Sequence, residues 1–359
     1  MKTVYEMKVN HLDALADHVE NRLYARPELR HLFLELTLRC NEHCFHCGSN
    51  CDYTGSEDLK LEDYRRILDE VREDFDLSKM MLCITGGEPL LRKDFFEIMS
   101  YAHQNGFRWG MTSNATLITP EVAEKLADTG MRTISVSIDG TEETHDALRG
   151  MKGGYRKAME GIQNLIDADR FEAIQITTVI NHENINELDE LFEIMKGIDI
   201  DSWRLAALEP IGRALLRPEL MCTKEDHIRL MDFIREKRKE GWPLVYGCSH
   251  FLGMKYEAEV RDWYWLCNAG LYTASIMANG DIGACLDIER RKETIQGNIF
   301  KDRFSDVWYS RFEIFRKDLS SMSEECRGCT HAKYCRGDAH HSFDYDRMKP
   351  MVCMKDILF

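Results

Sequence analysis

Residues Cys40 to Cys47 read CNEHCFHC, which places three thiols at i, i+4 and i+7. Thiolates are the ligands of zinc and of iron–sulfur clusters. A cubic cluster ordinarily takes four cysteines, so three of them leave one iron open to something that is not protein. The rival reading is a partial zinc knuckle. Structural zinc wants four closed ligands, often as paired C-x2-C units, and a lone three-thiol set fits an open cluster better. Other thiols gather far away: Cys267, Cys285, Cys326, Cys329, Cys335 and Cys353 near the end of the chain. Of the 13 cysteines only Cys83, Cys222 and Cys248 stand apart from the two groups, since Cys51 adjoins the first. In a reducing compartment such usage points to metal or redox chemistry rather than disulfides.

The elements that must hold these residues follow from hydrophobic periodicity. Leu12, Leu15, Val19 and Leu23 recur at helical spacing in residues 11–24, which predicts a packing helix at the edge of the next domain. Apolar runs at Leu32–Leu38, Lys79–Thr85, Phe107–Ser113, Arg132–Ile138, Glu172–Ile180 and Ser202–Leu208 predict strands. Helical patterns at Leu61–Phe75, Pro120–Ala127, Tyr155–Ala168, Ile185–Lys196 and Lys224–Lys239 alternate with them, with Thr119 as an N-cap before Pro120. Six βα units in a row imply a parallel sheet with helices outside: an α/β, partial (β/α)6 TIM-like barrel. Function should then sit at the C-terminal strand ends. Polar and glycine-rich residues do gather there: the cysteine loop after strand one, Gly86-Gly87-Glu88-Pro89 after strand two, Ser113-Asn114 after three and Ser137 to Gly140 after four. Strand five ends near Thr178 and Asn181, and strand six runs into Glu209-Pro210-Ile211-Gly212-Arg213. The alternation stops after Arg213, and Asn279-Gly280 between two short apolar runs predicts a hairpin. The expected division is 1–31 helical, 32–212 barrel, 213–266 helix and bridging segment, and 267–359 a small cysteine-rich domain.

Composition narrows the class. The chain has 359 residues, 44% hydrophobic and 30% charged, which is ordinary for a globular protein of two or three domains. Its formal charge of -15 and lack of a basic stripe speak against nucleic acid. Arg213, Arg217, Arg290 and Arg291 read as solvated faces. No apolar run reaches the length of a membrane span and no secretory signal opens the chain, so the expectation is a cytoplasmic protein without a membrane partner.

Over residues 32–212 the chain resembles the radical S-adenosylmethionine (SAM) enzymes. The CxxxCxxC loop, with Phe45 before the last pair, the GGEP run at 86–89 and the six βα units carry the resemblance. It implies a [4Fe–4S] cluster on Cys40, Cys44 and Cys47, with SAM chelating the open iron. It implies that Glu88, or the backbone at Gly86 and Gly87 beside Pro89, accepts from the SAM ammonium. Ser113, Asn114, Ser137 and Asp139 would lie along the SAM carboxylate and ribose, although loop capping explains Ser113, Asn114 and Ser137 equally well. Arg149 is a candidate carboxylate partner. One electron then cleaves SAM to a 5′-deoxyadenosyl radical, which abstracts hydrogen. An external donor such as flavodoxin or ferredoxin is implied as well.

The late cysteines resemble the SPASM extension of that superfamily, which holds auxiliary iron–sulfur clusters. Cys267, Gly280 and Cys285 match its opening, and Cys326, Cys329, Cys335 and Cys353 make a complete four-thiolate set. The chain departs from the pattern at Thr273 and Ala339, where cysteines are usual. One or two auxiliary clusters are therefore expected. Cys248, Asp338, His340 or His341 would complete the second, or the hairpin pair would join two later thiols around a single cluster. Cys51 reads as a bystander, Cys83 as a small core residue, and His340, His341 and Asp344 as solvent-facing or supporting.

The resemblance points to an enzyme that modifies a peptide or protein. The alternative is a dehydrogenase or epimerase of a small molecule such as a sugar or aminocyclitol. Leader-recognising relatives often carry about 80 further residues before the cluster loop, the size of a small domain. Only 39 residues precede Cys40, so if the substrate has a leader, a separate leader-binding partner delivers it or the barrel binds it directly. No spacing singles out a catalytic acid or base.

Overall fold

The computed structural model describes residues 3–54, 58–247 and 249–359; Cys248 lies outside them. Seven parallel strands follow one another across the sheet: β1 (His31–Glu35), β2 (Met81–Thr85), β3 (Trp109–Ser113), β4 (Met131–Ser137), β5 (Ala173–Ile180), β6 (Ser202–Ala207) and β7 (Leu244–Tyr246). The first six match the apolar runs to within a few residues. The seventh is a difference from expectation. It has three residues, all buried, which is too short for any periodicity to register.

The helices are α1 (Val4–His18), α2 (Leu61–Asp74), α3 (Phe95–Gln104), α4 (Pro120–Asp128), α5 (Glu142–Arg149), α6 (Gly154–Ala168), α7 (Leu188–Lys196) and α8 (Lys224–Lys239). Thr119 caps α4 by accepting from Val122 N–H, and Thr223 closes a capping box with Asp226 on α8. The helices bury one face of the sheet, where Leu34, Ile84, Val136, Ile176 and Leu205 are fully enclosed.

The other face is different. On β4, β5 and β6 the alternate residues Thr133, Ser135, Ser137, Gln175, Thr177 and Arg204 are only half-buried. A parallel sheet covered on both faces reads as continuous apolar runs. Alternation here means that the inner face lines an open interior. Cys83 sits on that face of β2, half-buried, and is not the core residue expected from its apolar neighbours.

The C-terminal region continues the same sheet. β8 (Thr273–Ile276) runs parallel to β1, from His31 opposite Thr273 to Leu34 opposite Ile276. β9 (Asp281–Gly283) turns back at Asn279-Gly280, as the hairpin signal predicts, and β10 (Gly297–Asn298) closes that edge. The α1 helix docks on this late region instead of edging the barrel. Lys8 Nζ donates to the Met254 carbonyl at 3.0 Å and Glu259 at 2.8 Å, and Arg336 Nη2 donates to the Ala16 carbonyl at 2.9 Å.

Candidate active site

The three-cysteine loop leaves the C-terminal end of β1, with Cys40 and Cys44 buried and Cys47 half-buried. Amide donors face two of the sulfurs: Glu42 N–H to Cys40 Sγ and Cys51 N–H to Cys47 Sγ, each at 3.4 Å. Burial pushes the Cys40 thiol up to about 12 and the Cys44 thiol up as well. Hydrogen bonding from Cys51, aided by Arg213, holds the Cys47 thiol below its ordinary value. Buried thiols with such high values deprotonate readily only beside a cation or a metal. Among the described residues no three His, Cys, Asp or Glu side chains converge as the ligands of one ion. The donor set suits a cluster whose thiolates bind separate irons.

The Gly86–Glu88 segment packs directly on the entry to this loop. Gly87 N–H donates to the Thr37 carbonyl at 2.8 Å and Glu88 N–H to the Arg39 carbonyl at 2.9 Å. A Cβ at Gly86 would stand 2.3 Å from Thr37 O, and one at Gly87 2.1 Å from Arg39 O. The glycines are therefore required by the backbone of the segment that leads from β1 into the cysteine loop. Glu88 is fully buried and committed to the protein. Its carboxylate accepts from Ser113 Oγ at 3.0 Å, Asn114 N–H at 2.9 Å and Leu90 N–H at 3.2 Å. Burial pushes it up to about 7 against those hydrogen bonds. Pro89, itself buried, opens the short turn that follows.

The other expected SAM contacts are also held by protein groups. Asn114 donates to Asn41, inside the cysteine loop, at 2.8 Å, and Asn41 donates to Thr116 at 2.8 Å. Asp139, at the end of β4, accepts from Arg149 Nε at 2.8 Å and Val179 N–H at 2.8 Å, and lies 3.2 Å from His46 Nε2. Burial alone would raise the Asp139 carboxyl; the Arg149 guanidinium and His46 outweigh it and hold it well below the carboxylate range. Arg149 bonds Glu42 with its next nitrogen. The carbonyls of Arg149 and Leu148 take the amides of His43 and Phe45 at 3.0 and 2.9 Å. Ser137 alone keeps its side chain on the open inner face, opposite Thr177.

Arg213 is no solvated face. Its Nε donates to the Cys44 carbonyl and its Nη1 to the Cys51 carbonyl, both at 2.7 Å. Its own amide donates to the Cys47 carbonyl at 3.1 Å. Gly212, at φ 53°, makes room for this, since a Cβ there would stand 2.3 Å from Cys47 O. Arg290 is likewise paired, with the buried Glu35.

Asn41, Glu42, His46 and Arg213 are the residues the sequence reading passed over. The first three lie inside the motif itself. Arg213 lies at a C-terminal strand end, the place the barrel rule already marks.

In the late region Cys326, Cys329, Cys335 and Cys353 line one cavity of about 130 Å³, together with Asp338 and Phe251. Burial raises the thiols of Cys326, Cys335 and Cys353. Four thiols lining one cavity fit a cubic cluster, whose thiolates bind separate irons. Cys267 and Cys285 do not line that cavity. Cys267 packs against the buried cluster of Leu12, Phe251, Trp265 and Ala339, and Thr273 belongs to the β1–β8 ladder. His340 is buried and hydrogen-bonded to Tyr345 Oη at 2.6 Å, not solvent-facing.

Fold and site define an iron–sulfur enzyme built on an open parallel barrel, with a second thiol-rich region sharing its sheet. The radical SAM superfamily model matches residues 34–195, and the SPASM iron–sulfur cluster-binding domain matches 267–330. The chain is 32% identical to an AdoMet-dependent heme synthase of Methanosarcina barkeri, over 84% of this chain and 89% of that protein. It is also 32% identical to mycofactocin maturase MftC of Mycolicibacterium smegmatis, over 84% and 76%. It belongs to the radical SAM superfamily, and is a SAM-dependent enzyme with a [4Fe–4S] cluster and auxiliary iron–sulfur chemistry in its SPASM domain. Among solved structures, Streptococcus suis SuiB bound to precursor peptide SuiA shares the fold at TM-score 0.69 and 19% identity, over 94% of this chain and 77% of that one. So does anSMEcpe with AdoMet and Kp18Cys peptide, at TM-score 0.71 and 17% identity, over 90% and 93%. Among the described residues no helix is long and apolar enough to cross a membrane.

Proposed function

We propose that this enzyme cleaves SAM reductively at Cys40, Cys44 and Cys47 and uses the radical to take hydrogen from a peptide. The observation that carries the first half is the clamp on the three-thiol loop, which draws on the segments that follow β2, β3, β4 and β6 and on the end of α5 at once. When bound there, the cluster supplies the electron that breaks SAM to a 5′-deoxyadenosyl radical. The protein's part is placement. With Glu88 taken, the SAM ammonium falls to the carbonyls of Gly86 and Gly87, which accept no hydrogen bond among the described residues. Ser137 faces the ligand from the inner wall. Asp139 and Arg149 act through the loop they hold. Cys326, Cys329, Cys335 and Cys353 carry an auxiliary cluster.

A peptide substrate is supported by the likeness to a maturase and by an apolar ledge at the loop. Leu215 and Leu216, 60% and 77% exposed, come after Arg213 and the buried Ala214, beside Arg217 stacked 4.4 Å over Phe45. Exposed leucines in a pair at a site mouth suit an extended apolar segment better than a sugar. The heme synthase likeness, which spans 89% of that protein, favours a second reading: a porphyrin-type macrocycle. An external one-electron donor is required in either case. Cysteine usage as cluster ligands in two groups, rather than as disulfide pairs, supports a cytoplasmic setting.

The test is anaerobic incubation of the iron-reconstituted enzyme with SAM, a reductant and either peptides encoded in neighbouring reading frames or an iron porphyrin. A mass change on a peptide in step with 5′-deoxyadenosine supports the proposal. Change on the porphyrin alone replaces it with the second reading.

A further inference from the structure

Several buried charges at the junction of barrel and SPASM region take no part in the site above. Glu209, two residues past β6, is buried, with His250 and Ser249 as its polar neighbours. His250 Nε2 lies 2.7 Å from its Oε1 as an ion pair. The other ring nitrogen of His250 bonds Asp338, whose second oxygen accepts from Phe251 N–H at 3.3 Å. Asp338 lines the four-thiol cavity, and its amide donates to the Cys335 carbonyl at 2.9 Å. His250 is 1% exposed at φ 63°, a left-handed conformation that its surroundings must hold. Arg261, fully buried and paired with Glu257, does so through the His250 carbonyl at 2.7 Å.

The other end of this link reaches the three-thiol loop. Three residues after Glu209, Gly212 lies against the Cys47 carbonyl, and Arg213 bonds the carbonyls of Cys44, Cys47 and Cys51. One chain of contacts thus runs from the four-thiol cavity through Asp338, His250 and Glu209 to the loop. A buried ion pair is a weak source of stability beside well-packed apolar groups, but losing one partner strands a buried charge. The pair therefore stays made, and a displacement of Asp338 at the cavity is carried through His250 to Glu209 and the loop instead of being absorbed by breaking the link.

We propose that His250 is a positioning residue that couples the auxiliary site to the three-thiol loop, so that filling the one tightens SAM binding at the other. This rests on the ligand reading given under the proposed function.

The experiment compares four anaerobically reconstituted proteins: wild type, Cys329→Ala, His250→Gln and the double variant. Each is measured for iron, SAM affinity and the electron paramagnetic resonance spectrum of the reduced three-thiol-site cluster with and without SAM. Each single change is expected to weaken SAM binding about fivefold or more and to alter that spectrum. The double variant is expected to be no worse than the weaker single, because both break one link. Unfolding midpoints serve as the control, since a merely structural role moves them and leaves the spectrum alone. Asp338→Asn, which keeps volume and an acceptor for His250, repeats the cycle if His250→Gln folds poorly. Iron loss in Cys329→Ala with SAM binding unchanged, or single effects that multiply in the double, overturns the coupling alone. No iron loss in Cys329→Ala overturns the ligand reading and the coupling with it.

Discussion

The two thiol regions are built in opposite ways. The Cys40–Cys47 loop is held by side chains from elsewhere: Asn114 on Asn41, Arg149 on Glu42, Asp139 on His46 and Arg213 on the carbonyls around Cys47. Cys326, Cys329, Cys335 and Cys353 instead ring a void, with Cys353 exposed and short turns between them. The first is shaped by protein before any iron arrives. The second is joined by its own short turns, with few side chains reaching in from elsewhere, so its order depends on the cluster its thiols bind. A site that must bind and release SAM gains from a rigid frame. A site that keeps its cluster can let the cluster do the framing.

The largest expected effect of that contrast is on removal of iron. Anaerobic chelation should raise amide exchange across residues 323–354 by roughly tenfold or more, as a locally unfolding unit, and leave residues 37–47 little changed. Equal loosening of both would break the comparison.

Next comes the frame itself. Asp139→Asn removes one partner of a buried ion pair and should cost about 3–5 kcal/mol in denaturant unfolding at neutral pH. The Asp139 carboxyl is held below its ordinary 3.8, so its stabilisation is present above that value and lost as pH falls through the lowered one. The gap between wild type and variant should therefore narrow below about pH 3.8. A gap independent of pH would assign the cost to packing.

Arg213→Ala, which deletes charge-assisted hydrogen bonds to two loop carbonyls, should cost about 1.5–3 kcal/mol and lower iron retention at the three-thiol site. Asn114→Ala should cost about 1 kcal/mol, since Asn41 keeps its bond to Thr116. If Asn114→Ala proved the more damaging of the two, the frame would hang on β3 and not on β6.

The legibility of these regions in sequence differed for the same physical reason. Thiol spacing, the glycine run and period-driven strands are local, and they located both sites and six strands. What the polar residues touch is long-range. Glu42 and Arg149 are 107 positions apart and Cys44 and Arg213 are 169 apart, so no window joins them. That is why the protein partners of Glu88, Asp139 and Arg149 do not show in the sequence, and why Arg213 reads there as surface. The seventh strand and the docking of α1 on the late region were hidden likewise, the one by its length and the other by contacts such as Lys8 with Glu259.

The most direct measurement is 5′-deoxyadenosine formation from SAM under strong reductant, in wild type and in two variants. One carries Cys40, Cys44 and Cys47→Ala; the other carries Cys326, Cys329, Cys335 and Cys353→Ala. Product from wild type, none from the triple variant and a reduced but measurable amount from the quadruple variant is the predicted result. Undiminished product from the triple variant, or none from wild type with any reductant, would contradict the account.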